Sequence, residues 1–223
     1  MIFKHFILTR YALRFDRVLD EAWFAHRLPL FHQTIGAVER QNDPAPWHLV
    51  WLLFYSPEYE ALVPTHEQSD IVDLRWIPVH HGNFEEANAE MRAAMAAWLT
   101  KETHVLSTRL DNDDLIAPDF CRLVQEAAAR LDPDPVAFIN FDVGQNKLAN
   151  GEVIEHVHRT NMFQTAVEKR AGFRGIFTWA HNSTPLIGPL VHLPWTDQWT
   201  HVEHERNVWP VGRAWDGPGR ASL

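Results

Sequence analysis

Residues 108–120 read Thr108-Arg109-Leu110-Asp111-Asn112-Asp113-Asp114-Leu115-Ile116-Ala117-Pro118-Asp119-Phe120 and put three carboxylates into four positions. The run 104–110 before them has the β-branched and apolar content of a buried strand. Pro118 opens an apolar-periodic segment, as a first-turn proline does, which predicts a helix over 118–131. The acids therefore fall at the carboxyl end of a strand, the edge at which open α/β sheets bind ligands. Their spacing suits a hard divalent cation, which takes one or two protein carboxylates and completes its shell with phosphate oxygens. The same residues also suit a solvated turn or a helix cap. A calcium loop of the EF-hand type is excluded, because counting from Asp111 its sixth and twelfth positions are Ile116 and Arg122 instead of Gly and Glu.

Outward from the motif, strands are expected over 4–9, 47–55, 71–79 and 136–142, alternating with helices over 18–34 and from Phe84 onward. Pro29 should kink or split the first helix, which should end near Gly36. Asn83 reads as the N-cap of the second, with Glu86 three positions on, and Met91, Met95, Trp98 and Leu99 line one helical face. This alternation predicts an α/β fold, a mainly parallel sheet covered on both faces. From Gly144 the texture turns richer in turns, and Asn150-Gly151 signals a hairpin. The expected organisation is a single domain with a nucleotide-binding half over 1–143, a smaller mixed acceptor-side region over 144–215 and a loose tail over 216–223.

Composition supports a packed core, with 46% hydrophobic residues, 10 Trp and 13 Phe in 223 residues. No apolar run approaches the roughly 18 residues of a membrane span. The amino-terminal stretch, with Lys4, His5 and Arg10, resembles a first strand better than a signal peptide. A single cysteine, Cys121, excludes an internal disulfide, so a cytoplasmic protein is expected, with a peripheral place at the inner membrane as the alternative. A formal charge of −9 argues against broad binding to nucleic acid but leaves a nucleotide open, since one cation and one or two arginines neutralise a diphosphate locally. The 14 histidines form no zinc signature.

Several stretches, in order, are similar to one family. They are 5–11, ending in Thr9-Arg10-Tyr11; 28–34, ending in Gln33-Thr34; 47–55; the motif 108–114; Ile139-Asn140-Phe141 with Gly144; Asn161-Met162-Phe163; His181; and 199–207. Together they resemble the putative rhamnosyltransferase family of bacterial polysaccharide loci, glycosyltransferases of the GT-A type. The chain departs from the family at Tyr55-Ser56, where many relatives carry an acid after the second strand, and at Glu205, which replaces a glycine. The resemblance implies a GT-A-like, Rossmann-like fold and an inverting, hexosyltransferase-type reaction. A sugar, rhamnose by the family's name, would pass from a nucleoside diphosphate sugar to a glycan or other acceptor hydroxyl, with Mn²⁺ or Mg²⁺ as cofactor.

On this reading Asp113 and Asp114 hold the metal together with His204, or alternatively His181, and Asp111 binds the ribose or the metal. Arg10 and Arg109 face the nucleotide or diphosphate, and Thr9 contacts the base through its hydroxyl. Asp197, between Trp195 and Trp199, is the expected general base, with Glu203 and Glu205 as rivals. Two other readings of the same residues are a non-catalytic nucleotide-sugar-binding relic and a metal-dependent phosphohydrolase.

Overall fold

In the strand β2 (Leu49–Tyr55) every residue is buried, and alternate side chains enter two different cores. Leu49, Trp51, Leu53 and Tyr55 pack on one face of a sheet, while Val50, Leu52 and Phe54 pack on the other. A strand buried on both faces reads as a continuous apolar run because the period-two alternation sends its side chains into two layers. The computed structural model describes residues 2–14, 19–42, 49–65 and 72–204. The expected strand starts at Trp47 and Ile71, the helix start at Val18, Glu205 and the tail fall outside them.

The other strands are β1 (Phe3–Ala12), β3 (Asp73–Pro78), β4 (His104–Arg109), β5 (Leu115–Ile116), β6 (Val136–Phe141), β7 (Val143–Lys147), β8 (Val153–Val157), β9 (Thr165–Lys169), β10 (Leu190–Leu193) and β11 (Trp199–Val202). Seven form the main sheet in the order β10-β6-β9-β4-β1-β2-β3, in which only β9 runs antiparallel. The helices α1 (Glu21–Glu39) and α3 (Phe120–Ala128) cover one face, through Phe31, Ile35 and Val38 and through Cys121, Leu123 and Val124. On the other face lies α2 (Phe84–Ala96), through Ala87, Met91 and Met95. This is the helix-flanked, mainly parallel sheet expected of a Rossmann-like, GT-A-like chain.

A second sheet, β5-β11-β7-β8, stands beside the carboxyl edge of the first. Its β7 and β8 form the hairpin signalled by Asn150-Gly151, with Gly151 at φ 86. Strands β9 and β10, although drawn from the turn-rich carboxyl-terminal third, complete the main sheet.

Two local expectations are corrected. The helix α1 runs unbroken through Pro29 and past Gly36, from an N-cap at Asp20, whose side chain accepts the Trp23 N–H. An interior proline costs about 3 kcal/mol of helix stability, and the buried face of Trp23, Phe24, Phe31, Ile35 and Val38 offsets it. Residue Pro118 lies before α3 instead of in its first turn, because β5 occupies Leu115–Ile116 and the N-cap falls at Asp119. By contrast, Asn83 caps α2 as read, accepting the Glu86 N–H at 2.9 Å.

Candidate functional site

The carboxyl ends of β1, β2, β3, β4, β6 and β10 share one edge of the main sheet. The order of the sheet reverses between β1 and β4, since β2 and β3 extend on one side of β1 and β4 returns on the other. Such a reversal opens a crevice at the carboxyl edge. The acidic motif leaves β4 at this point.

Each motif carboxylate has a cationic partner. Arg109 donates to Asp111 through Nε at 3.1 Å and Nη2 at 2.8 Å, a bidentate fork. Burial works to raise the Asp111 carboxyl, but Arg109, aided by Arg10 and His201, holds it below the usual range. Arg27 of α1 pairs through Nη1 with Asp113 and donates at 3.1 Å to Asn112 Oδ1. Asn112 in turn donates to the Tyr11 carbonyl, which ties the motif to the end of β1.

Asp114 is turned toward β11. Its Oδ1 accepts from His201 Nδ1 and from the Val202 N–H, both at 3.0 Å, while Oδ2 is buried with no hydrogen-bond partner among the described residues. Burial pushes the Asp114 carboxyl up to about 6 despite His201. For His201 burial acts downward, and the Asp114 carboxylate overrides it, raising the imidazole to about 9.

The structure brings Asp113 and His204 together, with His204 Nε2 at 2.8 Å from Asp113 Oδ2. On its other side His204 Nδ1 meets His26 Nε2 of α1 at 3.2 Å. His181 sits beside His158. Its ring is 6.1 Å from that of His158, and burial, with the Arg109 charge, lowers its pKa to about 4. Among the described residues no group of three or more His, Cys, Asp or Glu side chains is arranged as a complete metal cage.

Thr9 lies beneath the site. Wholly buried, its hydroxyl donates to the Leu110 carbonyl at 2.6 Å and accepts the Trp51 indole N–H at 2.9 Å, so it braces the motif strand and presents no hydroxyl to a base. The Arg10 guanidinium carbon is 5.2 Å from the Phe177 ring centroid. Asp197 is exposed on a turn at φ 58, where its Oδ1 accepts from Gln145 Nε2 at 3.0 Å. Glu203 donates its backbone N–H to Lys147 and continues the β11 to β7 pairing. Ser56, at the departure from the family's acid, is buried and accepts the Arg14 N–H.

Sequence reading missed His26, Arg27, His201 and a further pair on the same edge. In that pair Asp142 Oδ1 lies 2.6 Å from His192 Nδ1, at the ends of β6 and β10. The spacing of His201 and His204 was visible, but a zinc pattern was the wrong test for it: the two rings meet different aspartates. For Arg27 no local signal existed, since a basic residue inside an amphipathic helix is ordinarily a solvated one. Beside the end of β1, an apolar recess of about 300 Å³ is lined by Tyr11, Phe24, Ala25, Leu28, Leu62 and Pro64, with Glu21 at its side.

Fold and site define an α/β protein of Rossmann-like type whose charged site lies at the carboxyl edge of its sheet, where the strand order reverses. The chain matches the family model described as "Putative rhamnosyl transferase" over residues 5–211, and it belongs to that family. Among solved structures it is similar to the crystal structure of S. aureus TarS 1–349, at TM-score 0.45 and 11% identity, covering 91% of this chain and 60% of that one. It is also similar to a crystal structure of S. aureus TarS at TM-score 0.45 and 9% identity, covering 91% of this chain and 37% of that one. The chain thus spans 60% or less of the length of these structures. No curated protein sequence matches it.

Proposed function

We propose that the protein is a glycosyltransferase that moves a sugar from a nucleoside diphosphate sugar to an acceptor hydroxyl. One observation carries the reading beyond family membership. Asp113 and His204, far apart in sequence, lie side by side at the carboxyl edge of the sheet, by its reversal point.

The residues present fit a divalent cation, Mn²⁺ or Mg²⁺. A carboxylate oxygen and an imidazole nitrogen converge, and Oδ2 of Asp114, next to Asp113 in sequence, is buried with no partner among the described residues. Two protein ligands suffice when diphosphate oxygens complete the shell. When bound, the cation acts as a Lewis acid that stabilises negative charge on the leaving diphosphate. Asp113 and His204 would hold it, Asp114 being turned to His201 and the Val202 N–H, and Asp111, held below the usual carboxylate range by Arg109, would bind the ribose. Arg10 and Arg109 supply guanidinium donors on the same edge, suited to phosphate oxygens.

Inversion requires that the acceptor hydroxyl lose its proton as its oxygen bonds to the anomeric carbon and the bond to the diphosphate breaks. We assign that proton to Asp197, exposed and oriented by Gln145. A second reading is favoured by the Asp142–His192 pair, in which a carboxylate orients an imidazole, the usual arrangement of a general base. Rhamnose as the transferred sugar rests on the family's description alone.

The test is a thermal-shift screen of nucleoside diphosphates and their sugars with and without Mn²⁺, followed by donor hydrolysis. A ligand that binds only the folded state raises the melting temperature. Cation-dependent stabilisation by a nucleoside diphosphate, lost in Asp113→Ala, is the expected result. Absence of any shift and of any hydrolysis would remove the reading, and binding without turnover of any donor would leave a non-catalytic sugar-nucleotide binder.

A further inference from the structure

Arg27 is an unusual neighbour for a cation ligand. It is 4% exposed, its guanidinium carbon lies 5.4 Å from the Trp23 ring centroid, and Nη1 reaches both Asp113 and Asn112. Its Nε is buried with no hydrogen-bond partner among the described residues. A guanidinium is therefore packed against the very carboxylate that the cation would need, with a donor left unsatisfied. Burying an unmet N–H is costly, so the side chain has an alternative arrangement to gain from.

The charges around it point the same way. Asp111 is forked by Arg109 and Asp113 is paired with Arg27, so a lone divalent cation arriving at Asp113 meets a carboxylate already neutralised and a positive charge at contact distance. In a buried site that repulsion is weakly screened. A diphosphate changes the balance, because its oxygens accept the planar N–H fork of an arginine and bring negative charge for the cation.

We propose that Arg27 stands in for the cation at Asp113, keeping free divalent cations out until the phosphate oxygens of a nucleoside diphosphate draw the guanidinium away. Cation and nucleotide then bind as a coupled pair, each raising the affinity for the other by the same factor. The inference rests on the glycosyltransferase reading for the cation at Asp113 and for the identity of the diphosphate.

Equilibrium dialysis against Mn²⁺ tests it, on wild-type protein and on Arg27→Gln, without nucleotide and with UDP, GDP or dTDP. Without nucleotide, Arg27→Gln is expected to retain Mn²⁺ about tenfold more tightly than wild type, and Arg27→Gln/Asp113→Asn should lose that gain. Wild type should gain affinity by a similar factor when a fitting nucleoside diphosphate is added. If Arg27→Gln folds and binds Mn²⁺ no better than wild type, the proposal is overturned. If it gains affinity but no nucleoside diphosphate has any effect on wild type, Arg27 only blocks the cation, and both the proposed exchange and the donor reading are overturned. Should Arg27→Gln not fold, the wild type decides: equal Mn²⁺ affinity with and without every nucleotide overturns the proposal, and a nucleotide-dependent gain sustains it.

Discussion

His204 Nε2 lies 2.8 Å from Asp113 Oδ2 across a separation of 91 residues. The contact is delivered by β11, which pairs with β5 through Trp199 and Ile116 and through Thr200 and Leu115, directly after the motif. A two-residue strand thus sets the register that brings a carboxyl-terminal imidazole to an acid at the end of β4.

Asp113 has an energetic role as well as a chemical one. Asp113→Ala removes the partner of a buried guanidinium, and breaking a buried pair in this way costs about 3–5 kcal/mol. Denaturant unfolding should show that loss, along with the loss of cation-dependent nucleotide binding. His204→Ala leaves no buried charge unpaired. It should therefore keep most of the stability while weakening Mn²⁺ binding in the presence of nucleotide by about tenfold. A His204→Ala protein with unchanged Mn²⁺ affinity would remove His204 from the cation.

The general base divides two candidates cleanly. Asp197→Asn is expected to lower kcat by about a hundredfold or more with the donor's KM little changed, and His192→Asn to leave kcat within a few-fold. The opposite pattern in steady-state kinetics assigns the proton to His192 and its Asp142 partner.

Gly144 has no room for a side chain. A Cβ there would lie 2.2 Å from the Trp199 ring. That ring cannot yield, because it stacks on Phe163 at 5.0 Å and donates its indole N–H to the Phe141 carbonyl at 2.8 Å. Gly144→Ala should destabilise by about 1–3 kcal/mol or more through overpacking, and Gly144→Ala/Trp199→Phe should recover part of the loss by shrinking the ring. Calorimetric melting temperatures of the two variants check this; an unchanged single mutant would contradict the packing.

His5 makes stability depend on pH. It is fully buried between Thr108, 2.8 Å from Nε2, and Gln125, and burial lowers its pKa from 6.5 to about 3. The unfolded chain takes up a proton near pH 6.5 that the folded chain refuses, so the stabilising contribution is complete above that pH. It is lost as pH falls toward 3, by up to about 1.4 kcal/mol per pH unit. Denaturation curves between pH 7 and pH 4 should show this slope, and His5→Asn, less stable at pH 7, should flatten it. Equal slopes would mean that His5 is not the group responsible.

Local sequence carried the elements whose signal is short-ranged. The strand at Leu49–Tyr55 is apolar without a break because both its faces are covered, the Asn83 cap needs only Glu86, and the hairpin needs only Asn150-Gly151. The motif's place at the end of β4 followed from the apolar run before it. Where sequence failed, a distant partner outweighed a local preference. Pro29 stays inside α1 because that helix buries an aromatic face against the sheet. Thr165–Lys169 becomes β9, wedged antiparallel between β4 and β6, a pairing with strands distant in sequence.

The sequence by itself thus determined a helix-flanked α/β chain with an acidic cluster at a strand's end, since periodicity and caps act over a few residues. The tertiary structure alone decided which charge meets which acid: Arg109 with Asp111, Arg27 and His204 with Asp113, His201 with Asp114. Only Arg109 is a neighbour in sequence. The others arrive on α1 and β11, and an ion pair depends on separation in space, which chain order does not encode until the sheets are assembled.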